Sequence, residues 1–344
     1  VGADLCVCPG LAIAPLRGRH IGLPLRYPLL GVPGIWVQTQ TLTVSDGGVG
    51  SSVAIRGSTI VLGAFGDNST QGAAYVFERY GGSWVQAQKL TASDGEPGDF
   101  FGNVAVSGST IVVGAPNDRI GDNFGQGSAY VFERHGGSWV QAQKLTAGDG
   151  APNDQFGQAV AVDGSTIAVT TLFDVPGSAH VFERHGGSWV QAQKLTASGG
   201  GLIGAVAVEG STIVLGAPFE SIGGNDVQGA AHVFERRGGS WIETQRLTAS
   251  DGVADDLFGV SVAISGSTIV LGAQGSNING EAAQGAAYVF ERRGGDWVQT
   301  QKLIASDGAT GDLFGGLAAI SGSIVVVGAW GDDAFKGSAY VFKL

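Results

Sequence analysis

The run Trp84-Val85-Gln86-Ala87-Gln88-Lys89-Leu90-Thr91-Ala92 comes back, slightly altered, behind Trp36, Trp139, Trp189, Trp241 and Trp297. Each copy leads into a polar loop and then a segment like Phe258-Gly259-Val260-Ser261-Val262-Ala263-Ile264. A Ser-Gly-Ser-Thr-type turn, a run like Ile-Val-Leu-Gly-Ala, a variable loop and Ala-Tyr-Val-Phe-Glu-Arg follow, and a Gly-Gly turn returns the chain to the next tryptophan. Every unit therefore holds four short runs rich in β-branched and aromatic side chains, bounded by glycine turns. Four strands in a unit of about fifty residues are the mark of a propeller blade. No stretch has helical periodicity, and none alternates strand with helix as a parallel α/β sheet requires. The expected fold is all-β, a β-propeller with four antiparallel strands per blade.

The run Ser-Val-Ala-Ile is made of small residues and belongs nearest the axis, where bulky side chains would collide. The Tyr/Phe and Trp strands belong farther out, where the blades splay. Cutting at the Phe-Gly position gives blades that begin near Val49, Phe101, Phe156, Ile203, Phe258 and Phe314, hence six. The last stops at Tyr340-Val341-Phe342-Lys343-Leu344, one strand short, while the strand 36–42 is left over at the other end. That N-terminal strand is expected to complete the last blade and close the ring, because an open sheet edge invites aggregation.

Glycine supplies 60 residues and charged residues 14% of the chain, the profile of short strands and tight turns. The formal charge is −11 and no polybasic run occurs, so neither nucleic acid nor membrane insertion is expected. Residues 1–34 carry Pro9, Pro15, Pro24, Pro28 and Pro33 and have no counterpart in the repeats; they read as a flexible leader or export-segment remnant ahead of the propeller domain, 35–344. Cys6 and Cys8 lie in that leader, and their spacing suits a mutual disulfide poorly.

The repeats resemble the FG-GAP repeat family, whose best-known members are the integrin α-subunit head propellers. The resemblance rests on Phe101-Gly102, Phe156-Gly157, Phe258-Gly259 and Phe314-Gly315, with Val49-Gly50 and Ile203-Gly204 as softer versions. The second half of the motif is Gly114-Ala115-Pro116 and Gly216-Ala217-Pro218, varied at Gly63-Ala64-Phe65, Gly272-Ala273-Gln274 and Gly328-Ala329-Trp330. Two departures follow. Integrin propellers have seven blades, and their calcium loops lie between the first two strands of a blade. Here that link shrinks to Arg56-Gly57, Ser107-Gly108, Asp163-Gly164, Glu209-Gly210, Ser265-Gly266 and Ser321-Gly322, too short to enclose calcium.

In a four-stranded meander, alternate links emerge on one face, so the long variable loops share a face. Function on repeat scaffolds sits where loops vary. The loops entering each blade contribute Asp46, Asp94, Asp149, Asp251 and Asp307, then Asp99, Asp154, Asp256 and Asp312, as ligand-face candidates. The pairs Asp94 with Asp99, Asp149 with Asp154, Asp251 with Asp256 and Asp307 with Asp312, each five apart, are candidates for weak calcium binding. The plainer reading is that each Asp-Gly is a turn. Trp36, Trp84, Trp139, Trp189, Trp241 and Trp297 are assigned to packing between blades, a lectin-like sugar platform being the alternative. The Glu-Arg pairs read as a surface charge ladder of little energy.

His135 and His185 border the Gly-Gly turns, while His180 and His232 stand where other repeats have tyrosine. Their exchange with such residues speaks against a special role, and no Ser/His/Asp or Cys/His order stands out. The expected function is non-catalytic: a secreted or cell-surface scaffold, binding a protein or glycan on its acidic loop face or serving in adhesion. A carbohydrate-binding lectin is the first alternative and a propeller hydrolase or lyase the second; calcium is the one cofactor considered.

Overall fold

The computed structural model describes residues 39–44, 52–174 and 176–343. Its 23 β-strands form six antiparallel meanders, so the chain is a six-bladed β-propeller. Among the described residues five sheets have four strands and the sixth, at 314–343, has three. Blade two shows the pattern: Asn103–Ser107, Thr110–Ala115, Ser128–His135 and Ser138–Leu145, each pairing with the next.

The turns follow from glycine placement. Ser107 pairs with Thr110, so the two-residue link is Gly108-Ser109, one position beyond the Ser107-Gly108 expected from sequence. Gly108 has φ +58°, as a two-residue hairpin with glycine first requires. The outer hairpin turns at Gly136-Gly137, with φ of +56° and +94°, the double positive φ of a type I′ turn.

The first strands pack side by side around the axis. Ala54, Val104, Ala105, Val160, Val206 and Val262 help line the channel between them, whose cavity of about 30 Å³ holds roughly one water. Small residues at the centre are what the narrow radius allows. Farther out, Phe101 is fully buried with its ring edge-on to Tyr130 at 5.5 Å and Phe132 at 6.1 Å. Phe156, Phe258 and Phe314 repeat the arrangement.

The recurring glycines are explained between blades. A Cβ on Gly114 would stand 2.0 Å from the carbonyl oxygen of Gly157 in the next blade, and one on Gly63 would collide with Gly102 in the same way. Gly216 faces Gly259 and Gly272 faces Gly315 likewise. The two halves of the motif are thus one contact, the second strand of a blade lying against the Phe-Gly carbonyl of its neighbour. Blade three has Thr170 at the facing position, and Gly204 of blade four has no such close neighbour. Both halves depart together there because a side chain at 170 leaves no room for that approach.

At the rim, the side-chain amide of Gln88 accepts from the Trp139 backbone N–H at 2.8 Å and donates to its carbonyl at 2.6 Å. Gln143, Gln193 and Gln245 clamp Trp189, Trp241 and Trp297 identically. Those four indoles are 2–3% exposed, and each lies under its own blade's arginine, Arg134 over Trp139 at 5.6 Å for example. The same arginines reach back: Arg134 to Glu78, Arg184 to Glu133, Arg236 to Glu183 and Arg292 to Glu235. The Glu-Arg pairs are therefore a half-buried belt joining neighbouring blades, which corrects the surface-ladder reading. Glu78 is buried, so removing Arg134 would strand a carboxylate rather than delete an exposed pair.

Residues 36–38 of the proposed closing strand, with Trp36, lie outside the described residues, as do Asp46, Val49-Gly50, Cys6, Cys8 and residues 1–34. Residues 39–44 carry the closing register without a strand assignment. Gln40 accepts from the Trp84 N–H at 2.8 Å and donates to its carbonyl at 2.6 Å, the clamp seen at the four junctions from blade one to blade five. Leu42 and Val44 pack on the blade-one cluster of Ala64, Ala73, Tyr75 and Phe77, as Leu90 and Ala92 pack on blade two. The segment meets blade one as the outer strand of a preceding blade does.

Candidate functional site

The loops entering the blades and the loops between second and third strands share one face. On it the structure places a repeated cluster. In blade two, Lys144 Nζ lies 2.6 Å from Asp94 and 2.7 Å from Asp118, and the Tyr130 hydroxyl is 2.9 Å from both carboxylates. Burial raises the Tyr130 hydroxyl well above its ordinary value. Asp94 is held below its usual range: burial opposes this, but the Lys144 and Tyr130 contacts prevail. Blade one has Asp67 with Lys89 and Tyr75, blade three Asp149 and Asp174 with Lys194, blade five Asp251 with Lys302 and Tyr288. Asp307 accepts from Tyr340 in blade six.

The second member of each aspartate pair is used differently. Asp99, Asp154, Asp256 and Asp312 each accept from the backbone N–H three residues earlier, at 2.6–2.8 Å. The structure thus divides the pairs: one carboxylate anchors a lysine or tyrosine across the blade, the other closes its own loop. Among the described residues no group of three or more His, Cys, Asp or Glu has the geometry to hold a metal ion.

Blade four departs. His232 stands at the tyrosine position, its Nε2 2.7 Å from Glu220 and its Nδ1 2.8 Å from Glu243, with Ser198 on Glu243 and Arg246 on Glu220. His232 and Glu220 are almost wholly buried. Burial works against the charged imidazole, yet the bonds to Glu220 and Glu243 outweigh it and raise its pKa. Burial likewise works to raise Glu243, but the bonds from His232 and Ser198 leave it lowered. One blade earlier, His180 has Gln191 where His232 has Glu243, and burial pushes it down to about 4. His232 thus has a structural role that sequence reading denied it. The signal was present as Glu220 and Glu243, at positions held by Asp118 and Gln141 in blade two.

The sign of the pH effect follows. His232, raised in the folded state, stabilises fully below its usual 6.5 and loses that contribution as pH climbs through the raised value. Glu243, lowered, contributes fully above its usual 4.5 and loses it as pH falls through the lowered value. Wild-type melting temperature, compared with His232→Gln, should show an excess at about pH 6 that shrinks as the pH is raised above the ordinary 6.5. Parallel profiles for the two proteins would remove the charged pairing.

Large apolar side chains stand exposed on the same face: Phe124 (65%), Phe173 (51%), Phe219 (49%) and Phe335 (66%). All four lie in the connections between second and third strands, Phe335 at the end of the four-residue helical turn Asp332–Phe335. Among the described residues no helix is long and apolar enough to cross a membrane.

Fold and face together define a β-propeller whose variable loops crowd one side of a repeating frame. The model for the FG-GAP repeat matches residues 36–77, 84–132, 139–182, 241–290 and 297–342, and the chain belongs to the FG-GAP repeat family. The matched stretches leave out 183–240, which contain Gly199-Gly200-Gly201, Ile203, Glu220 and His232. The likeness to integrin heads is loose but compatible with this membership. No curated protein sequence matches the chain. Among solved structures, a functionally unknown protein from Desulfotomaculum acetoxidans DSM 771 superposes with TM-score 0.53 and 11% identity, over 83% of this chain and 79% of that one. A periplasmic gluconolactonase of Pseudomonas aeruginosa gives TM-score 0.49 and 15% identity, over 83% and 82%. The first likeness concerns the fold alone, and the second is too loose to bear on activity.

Proposed function

We propose that the chain is a non-catalytic scaffold, secreted or displayed at a cell surface, that binds a protein or glycan ligand or serves in adhesion through its loop face. The observation that carries this reading is the set of exposed phenyl rings at 124, 173, 219 and 335 on that face. Exposed aromatic side chains gathered on one side are the composition of an interface core, since their burial against a partner removes apolar surface from water. The acidic character expected to attract the ligand is partly offset by Lys89, Lys144, Lys194 and Lys302, which favours apolar over electrostatic contact. The alternative of sugars stacking on the tryptophans finds Trp139, Trp189, Trp241 and Trp297 covered by neighbouring blades.

A photo-reactive cross-linker at position 124 or 219 should capture the same partner from the native extracellular fluid. One at Tyr80, exposed on the opposite face, should not, and unlabelled wild-type protein should compete. Capture from both faces alike, or from neither, would overturn the assignment.

A further inference from the structure

Blades one, two and three meet on the loop face around a cavity of about 220 Å³, lined by Phe65, Phe100, Asn103, Pro116, Asn117, Gln155 and Gln158. We infer that this pocket binds the neutral pyranose ring of a saccharide. The inference rests on the reading of the loop face as a binding surface and names a ligand class for one part of it.

The chemistry of the lining selects the ligand. Phe65 and Phe100 meet edge to face, centroids 5.9 Å apart at 83°, and with Pro116 they form an apolar wall. The polar lining is made of carboxamides alone. Asn103 gives its NH2 to the Gly157 carbonyl at 3.1 Å, leaving its oxygen, and the Asn117 oxygen accepts from Gln155 at 3.3 Å, leaving its NH2. The Gln158 amide has no hydrogen-bond partner among the described residues. Donors and acceptors thus face a cavity that has no charged side chain in its lining. A charged ligand would lose hydration there without a counter-charge. A ligand with hydroxyls around its edge and C–H groups on one face satisfies both walls. The volume lies below the ~300–1,000 Å³ of sites for drug-sized molecules, which suits one ring rather than a folded peptide.

Side chains, not backbone, set this site apart from its equivalents. Phe100 and Gln155, on the rim, hold φ of +56° and +55°, in the left-handed region that costs non-glycine residues energy. Leu257 and Leu313 share that conformation at the corresponding positions before Phe-Gly, so the strain belongs to the frame. The aromatic and the amide belong to this pocket.

The strain also supplies the test. Phe100→Gly removes one wall while placing at that φ the residue that tolerates it, and it keeps the N–H of residue 100 bonded to the Thr70 carbonyl. Gln158→Ala removes an unpaired amide. The probes are free glucose, galactose, mannose and N-acetylglucosamine, with glucuronate as the charged control, followed by ligand-observed NMR on the full chain. At least one neutral sugar should bind wild type with Kd near ~1 mM, and each variant should weaken it about tenfold, or about 1.4 kcal/mol. Glucuronate should bind at least about tenfold more weakly than the neutral sugar. No binding of any neutral sugar, binding that both variants retain, or preference for glucuronate would overturn the inference. If the sugars fail while cross-linkers at 124 and 219 still capture a common partner, only the pocket assignment falls. If those cross-linkers fail too, the loop-face reading falls with it.

Discussion

Gly216→Ala should lower the stability of the propeller by about 3 kcal/mol or more, whereas Gly204→Ala should leave it within about 0.5 kcal/mol. Each substitution adds one methyl group and neither position has a positive φ, so conformational preference does not separate them. The difference lies in what the methyl meets. At Gly216 it falls 2.0 Å from the Gly259 carbonyl oxygen and 2.9 Å from a Val262 methyl, both parts of the next blade. At Gly204 the nearest atom is Pro218 Cγ at 3.6 Å, ordinary van der Waals contact. Backbone cannot rotate away as a side chain can, so two blades must separate and loosen the buried layer around Phe258. Denaturant unfolding followed by tryptophan fluorescence reads both variants, and equal midpoints would show that the facing glycines do not set the blade spacing.

Removing residues 1–44 should abolish cooperative melting or drive the protein to aggregate. The deletion takes away the Gln40 clamp on Trp84 and the Leu42 and Val44 contacts with blade one. It also leaves Ser338–Lys343 as an outer edge with its polar backbone unpaired, a template for association. A truncated chain that stays monomeric and melts at the wild-type temperature would rule out closure by this segment. An opposite test adds stability. Register with Lys89, Lys144, Lys194, Arg246 and Lys302 places Thr41 at the cation position of the last blade. Asp307, Asp312 and Asp332 surround Tyr340 there, and burial together with these carboxylates raises its hydroxyl far above the ordinary value. Thr41→Lys should therefore stabilise by about 0.5–1 kcal/mol, the scale of a partly exposed ion pair, and more at low than at high salt. No gain at low salt would mean that residue 41 does not reach the last blade.

The pattern that repeats was readable without coordinates. The four strands of each unit, Gly-Gly turns, six units and small inner against large outer residues all follow from local properties: β-branched alternation, glycine at positive φ, and side-chain volume against radius. The leftover strand at 36–42 pointed to closure because a blade short of one strand is visible in a count of motifs. The family resemblance was legible for the same reason, since its motif recurs in tandem.

What the sequence left open concerns which side chains meet in space, across neighbouring blades or across the strands and loops of one blade. Glu78 and Arg79 are neighbours in the chain, yet Glu78 pairs with Arg134 of the following blade, turning an apparent surface ladder into a half-buried belt. Asp94 and Asp99 lie on one loop but turn to different tasks, because Lys144 and Tyr130 approach from the blade while the Glu96 N–H approaches from within the loop. His232 looked exchangeable with tyrosine until the strands set Glu220 and Glu243 on its two nitrogens. Phe65, Phe100 and Gln158 form one pocket only because three consecutive blades bring them together. Local sequence determined which strands and turns form, since hydrogen bonding and φ preferences act between near neighbours. Tertiary structure alone decided which side chains meet across blades, since burial and electrostatics depend on distance in space and not along the chain.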